Sequence, residues 1–200
     1  STVHATVDMM TLHVGAVARG APDKFIVADM PFLTCSKGLG VAMDTVERLM
    51  QAGAHGVKIE GDSHQLEIIR HIVEAGVPVM GHLGLTPQSI HHLGGHLVQG
   101  KDEVNAAKIV ESARRLEAAG CFSLVLECVP TALGGCVSQA LKIPTIGIGA
   151  GPQTDGQVLV LQDLLGVNPK FKPKFLRQYA SGHSVVSDAV NQFHGDGNSH

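Results

Sequence analysis

The chain has 200 residues, 44% hydrophobic and 16% charged, enough to bury roughly 70% of its unfolded surface in one core, which excludes a disordered chain. Its net charge is −3, with six Phe, one Tyr and no Trp, so it has neither a basic field for phosphates nor an aromatic platform for bases, and no nucleic acid is expected as a partner. No apolar run approaches the roughly 18 residues needed to span a bilayer, and the first ten residues lack the basic and apolar regions of a signal peptide, so no membrane partner is expected.

The first strand signal is Phe25–Asp29 (FIVAD), followed by helical periodicity over 38–52. His55–Glu60 (HGVKIE) is the second strand, 63–75 the second helix and Val77–His82 (VPVMGH) the third strand. Thr86-Pro87-Gln88-Ser89 places a capping hydroxyl before proline and reads as a helix start with no catalytic part. The stretch holding His91, His92 and His96 reads as a solvated loop, because Gly94 and Gly95 interrupt the spacing that would set two imidazoles on one helical face. A helix over 103–118, a strand at Phe122–Glu127 (FSLVLE), a helix over 131–141 and a strand at Pro144–Gly149 follow, with a weaker strand at Gln157–Val160.

Three of the helices end in Ala-Gly, at Gly53, Gly76 and Gly120, where glycine takes the left-handed conformation cheaply before the next strand. Strand and helix alternating in this way predict βαβ units around a parallel sheet, in a single α/β domain over residues 1–200. Residues 163–200 read as a C-terminal cap and tail, with a short helix near 183–193 and a basic, solvated cluster from Lys170 to Arg177. Cys35, Cys121, Cys128 and Cys136 show no C-x-x-C spacing and read as buried, reduced thiols of a cytoplasmic protein. Gly147, Gly149 and Gly151 do not match a dinucleotide-binding loop; close backbone approach inside a barrel is the expected reason for them.

Four apolar runs deliver an ionisable group at their carboxyl ends: Asp29, Glu60, His82 and Glu127. Any one could be a helix cap, but the four together point to the strand edge where parallel α/β proteins bind ligands. Lys58 and Glu60 are two apart and so share a face. Asp29 and Glu60 offer hard oxygen ligands suited to Mg²⁺, which keeps waters and open positions for a substrate.

Longer motifs carry a resemblance. RGAP (Arg19–Pro22), VADMPF (Val27–Phe32), AGAHGVKIEG (Ala52–Gly61), VPVMGHLGLTPQS (Val77–Ser89), LGGHLVQGK (Leu93–Lys101), LVLECVP (Leu124–Pro130), IPTIGIGAGPQTDGQVLV (Ile143–Val160) and PKFLRQYA (Pro173–Ala180) resemble the ketopantoate (3-methyl-2-oxobutanoate) hydroxymethyltransferase family nearly end to end. The resemblance implies a (β/α)8 TIM barrel of the phosphoenolpyruvate/pyruvate type. It also implies Mg²⁺ and transfer of a hydroxymethyl group from 5,10-methylenetetrahydrofolate to 3-methyl-2-oxobutanoate, the first step of pantothenate synthesis, in a cytoplasmic homo-oligomer, a decamer by analogy. By the same resemblance Asp29 is a metal ligand lying against the substrate, Glu60 belongs to the metal site, Lys58 and His82 bind the keto acid, and Glu127 is the catalytic base.

The family's pattern starts before Ser1, so the resemblance implies that two strands and a G-D-S turn, with a further metal ligand and a substrate-binding Ser, are missing here. The expectation is a truncated barrel of about six βα units with two open edges, binding Mg²⁺ poorly and turning over slowly or not at all. The alternatives are a non-enzymatic relative and another Mg²⁺-dependent keto-acid lyase or mutase of the same superfamily. Smaller departures from the family are His4, Asp62 and the helix-weakening pair Gly134 and Gly135.

Overall fold

A computed structural model describes residues 2–89, 95 and 97–197; His91, His92 and His96 lie outside the described residues. Six strands form one sheet: β1 (Val27–Asp29), β2 (Gly56–Glu60), β3 (Val79–Gly84), β4 (Ser123–Glu127), β5 (Thr145–Ile148) and β6 (Gly156–Gln157). Each is parallel to its predecessor, in the order β1-β2-β3-β4-β5-β6. A doubly wound sheet reverses its strand order at a switch point; this sheet never does, which leaves the barrel-type progression. Crossovers between parallel strands are right-handed as a rule, and in consecutive order that puts the connecting helices on one face and leaves the other for a ligand.

The helices are α1 (Val7–Gly20), α2 (Leu39–Gln51), α3 (Leu66–Glu74), α4 (Glu103–Ala118) and α5 (Thr131–Ala140), then the short α6 (Leu161–Leu164) and α7 (Gly182–Gly197). The glycines closing α2, α3 and α4 have φ of 110°, 90° and 97°, the left-handed values expected of them. Helix α4 begins at an Asp102 cap, whose carboxylate accepts the Asn105 N–H at 3.0 Å.

Strand pairing sorts the side chains. Val57, Ile59, Leu124 and Leu126 fall on one face and are buried with Leu49 of α2, Ile69 and Ile72 of α3 and Leu116 of α4. Each fully buried Leu or Ile contributes about 1.5–3 kcal/mol of transfer free energy, so this layer fixes the sheet. Asp29 is in register with Lys58, Glu60 with His82, and His82 with Val125, two residues before Glu127. The alternation therefore puts all five ionisable groups on the face away from the helices.

Several expectations change in detail. Helix α1 was not expected from the sequence. Gly134 and Gly135 do not simply weaken α5: a Cβ at either would come within 2.5 Å of the Ala150 carbonyl oxygen or 2.2 Å of Gln153 Oε1, so glycine lets the loop after β5 lie against the helix. Gly147 makes room for Thr154 of the following loop and Gln157 of β6 rather than for the barrel interior. Asp62 pairs with Arg115 of α4 at 2.6 Å. Cys35 and Cys121 are buried, whereas Cys128 is half-buried and Cys136 sits on the exposed side of α5, so not all four thiols belong to the core. Burial pushes the Cys35 pKa up to about 11 and that of Cys121 to about 12, leaving both as unreactive thiols.

The chain divides into two compact units, Ser1–Gln157 and Val158–His200. The first holds the sheet with α1 to α5. The second holds α6, α7 and the basic segment, where Lys170, Lys172 and Lys174 are exposed and the Arg177 guanidinium lies 5.1 Å from the Tyr179 ring centroid. No helix among the described residues is long and apolar enough to cross a membrane.

Candidate active site

Each site residue stands where a strand delivers it. Asp29 ends β1, Glu60 ends β2 and Glu127 ends β4; His82 lies two residues inside β3, which continues to Gly84. Lys58 is the hub. Its ammonium lies 3.1 Å from Asp29 Oδ1 and 3.2 Å from His82 Nδ1. On the other side of the imidazole, His82 Nε2 is 3.2 Å from Glu127 Oε2, within ion-pair distance though off the line of a hydrogen bond. Glu60 Oε1 is 3.9 Å from His82 Nδ1. The five residues expected from the sequence thus form one connected cluster.

The electrostatics follow from burial. His82 has 2% of its side chain exposed, and desolvation, reinforced by the Lys58 cation, pushes its pKa down to about 3. It is therefore neutral at pH 7. Lysine can only donate, so His82 Nδ1 is the acceptor and Nε2 carries the hydrogen, presented toward Glu127. Burial raises the Glu60 pKa above its usual value, against the attraction of His82 and Lys58. With His82 neutral, Lys58 is the charge that opposes desolvation there. Asp29 keeps about half of its side-chain surface exposed, 53%, and so remains open to a ligand.

One contributor was missed. Within the Thr86–Ser89 segment Pro87–Ser89 forms a 3₁₀ turn, and it is not separate from the site: the Gln88 backbone N–H donates to Glu60 Oε2 at 3.0 Å, and Gln88 Nε2 donates to the Met30 carbonyl at 2.7 Å. The only trace of this in the sequence is a polar side chain six residues beyond His82. Behind Glu60 lies a cavity of about 30 Å³, lined by Met30, Ser36, Gln65 and Gln88 among others, with room for about one water. Gln65 Oε1, buried without a hydrogen-bond partner, belongs to a residue of that lining.

Among the described residues no group of three His, Cys, Asp or Glu side chains is placed to hold a metal ion. Two carboxylates of separate strands, one buried and one half-exposed, still fit a hard cation that takes its remaining ligands from water and substrate. The donor set does not suit zinc, which wants thiolate or imidazole ligands.

A sequential parallel sheet with ionisable groups at its carboxyl edge is the architecture of barrel enzymes. The backbone is similar to that of phosphoenolpyruvate phosphomutase from Streptomyces platensis subsp. rosaceus, with a TM-score of 0.63 at 14% identity over 98% of this chain and 70% of that one. It is also similar to 2,3-dimethylmalate lyase, a member of the PEP mutase/isocitrate lyase superfamily, with a TM-score of 0.54 at 17% identity over 76% of this chain and 56% of that one. The fold is thus of the TIM-barrel type that these enzymes share. The chain belongs to the ketopantoate hydroxymethyltransferase family, which matches residues 1–200. A 3-methyl-2-oxobutanoate hydroxymethyltransferase of Bdellovibrio bacteriovorus is 55% identical over 194 residues, covering 97% of this chain and 74% of that protein.

Proposed function

We propose that the chain transfers a hydroxymethyl group from 5,10-methylenetetrahydrofolate to 3-methyl-2-oxobutanoate, giving 2-dehydropantoate, the first step of pantothenate synthesis. The observation that carries this reading is the connected run Asp29–Lys58–His82–Glu127 on one face of the sheet. It sets a cation, a neutral donor and a carboxylate side by side, as proton abstraction next to a carbonyl requires. The same reading takes a cytoplasmic homo-oligomer as the setting.

Asp29 and Glu60 would hold Mg²⁺, which supplies positive charge against the oxygen that becomes negative when the keto acid loses its proton. Lys58 adds a second positive charge beside the keto acid's carboxylate or carbonyl oxygen. Glu127 takes the proton from the carbon between the two methyl groups, and the electron pair left there attacks the one-carbon unit of the folate. Water supplies the hydroxyl oxygen, and tetrahydrofolate leaves. His82, neutral and buried, lies beside the Glu127 carboxylate with an N–H that makes no hydrogen bond here, and that N–H is left to donate to the keto acid.

The test is formation of 2-dehydropantoate from the two substrates with Mg²⁺ present. Product supports the reading; no product, in a folded chain that binds neither substrate, removes it. Asp29→Asn is expected to weaken divalent-cation binding by at least about tenfold, since even residues outside the ligand set commonly cost 10–100-fold. Titration with Mn²⁺ checks this, and wild-type affinity in the variant would take Asp29 out of the metal site.

A further inference from the structure

The segment after β3 does more than turn the chain. Leu85 N–H donates to the Glu127 carbonyl at 2.8 Å, and Ser89 N–H closes the turn on the Thr86 carbonyl at 2.8 Å. Between these anchors, Gln88 reaches two other strands, with its backbone N–H on the Glu60 carboxylate and its side-chain amide on the Met30 carbonyl. Met30 N–H in turn donates to the Lys58 carbonyl at 3.0 Å. The carbonyl that Gln88 grips therefore belongs to a residue locked against β2 and adjacent to Asp29. One short stretch of chain ties the carboxyl ends of β4, β2 and β1 together, and the Gln88 amide is its only side-chain bond to β1 among those observed.

We propose that Gln88 is a positioning residue, holding the Glu60 carboxylate in place against the Asp29 end of β1 so that the two carboxylates can serve one divalent cation. This rests on the reading of Asp29 and Glu60 as the metal-holding pair. An amide suits the task. It donates to a carbonyl without charge, where a lysine would compete with the cation and a glutamate would repel both Glu60 and the carbonyl oxygen. Its own hydrogen bond to Met30 orients the backbone N–H that steadies Glu60, so the pair of contacts acts together.

The test uses Mn²⁺ as the probe, with the free ion counted by electron paramagnetic resonance, at a temperature well below the unfolding midpoint of every variant. Gln88→Met keeps the length and volume of the side chain and loses the donor. It is expected to bind Mn²⁺ about tenfold more weakly than the wild type. Should this variant fail to fold, Gln88→Asn, one methylene too short to reach Met30, takes its place with the same expectation. Wild-type affinity in a folded Gln88 variant, with Asp29→Asn weakened, overturns the proposal and leaves the metal reading standing. A lowered unfolding midpoint with unchanged Mn²⁺ affinity marks a structural contact only and also overturns it. No Mn²⁺ binding by the wild type overturns both.

Discussion

Glu127→Gln is expected to lower kcat by about 10²- to 10⁴-fold, the usual contribution of a positioned general base, with KM for the keto acid near its wild-type value. The substitution changes chemistry and little else. A glutamine has the same shape, its amide oxygen can still face the His82 N–H 3.2 Å away in the wild type, and the Leu85 hydrogen bond is made to the Glu127 backbone rather than to its side chain. What the amide cannot do is accept a proton from carbon. Steady-state kinetics on the wild type and the variant, with circular dichroism to show equal folding, checks this. A variant with unchanged kcat would remove Glu127 from the proton transfer, and a loss confined to KM would make it a binding residue.

The largest effect on stability is expected at Gly84, where β3 ends. Its φ is +93°, and a Cβ built there would lie 2.1 Å from the Glu127 carbonyl oxygen and 3.0 Å from Val129 Cγ1. The obstacle is backbone, which cannot rotate away as a side-chain tip can. Gly84→Ala combines left-handed strain with overpacking, each of about 1–3 kcal/mol, against a total stability of roughly 5–15 kcal/mol. A loss of about 3 kcal/mol or more in denaturant unfolding is therefore expected. The carbonyl that would be displaced is that of Glu127, so the alanine variant should also lose turnover. Unfolding at the wild-type midpoint would show that the ends of β3 and β4 are not as tightly apposed as they stand here.

The sheet and the gathering of the candidate residues on one face were largely legible because both are written in local patterns. Runs such as VKIE and SLVLE are apolar with an ionisable residue at the end, and alternation alone places Lys58 and Glu60 on the face opposite Val57 and Ile59. Helix α1 was not legible, and its packing shows why. Val7, Met10, Val14 and Ala18 recur on its covered side, but Met9, Leu12 and Val17 are exposed apolar residues elsewhere on the helix, so the stripe that periodicity would find is blurred. Strand β6 was expected at 157–160 and found at Gly156–Gln157; Val158 and Val160, which carried the signal, are exposed. Gln88 was misread for a different reason. Its partners are a carboxylate 28 residues away and a carbonyl 58 residues away, and no local pattern encodes either contact. The run of contacts from Asp29 through Lys58 and His82 to Glu127 likewise depends on strand register, which the sequence implies only once the strands are ordered.

The proton transfer can be isolated from the rest of the reaction. In D₂O with Mg²⁺ and no folate, proton NMR follows the hydrogen on the carbon between the two methyl groups of 3-methyl-2-oxobutanoate. If Glu127 takes that proton in a site formed with Asp29, Lys58, Glu60 and His82, the wild-type chain should replace it with deuterium and Glu127→Gln should not. Exchange by Glu127→Gln at the wild-type rate would show that another group does the chemistry, and the assignment of this site would fail.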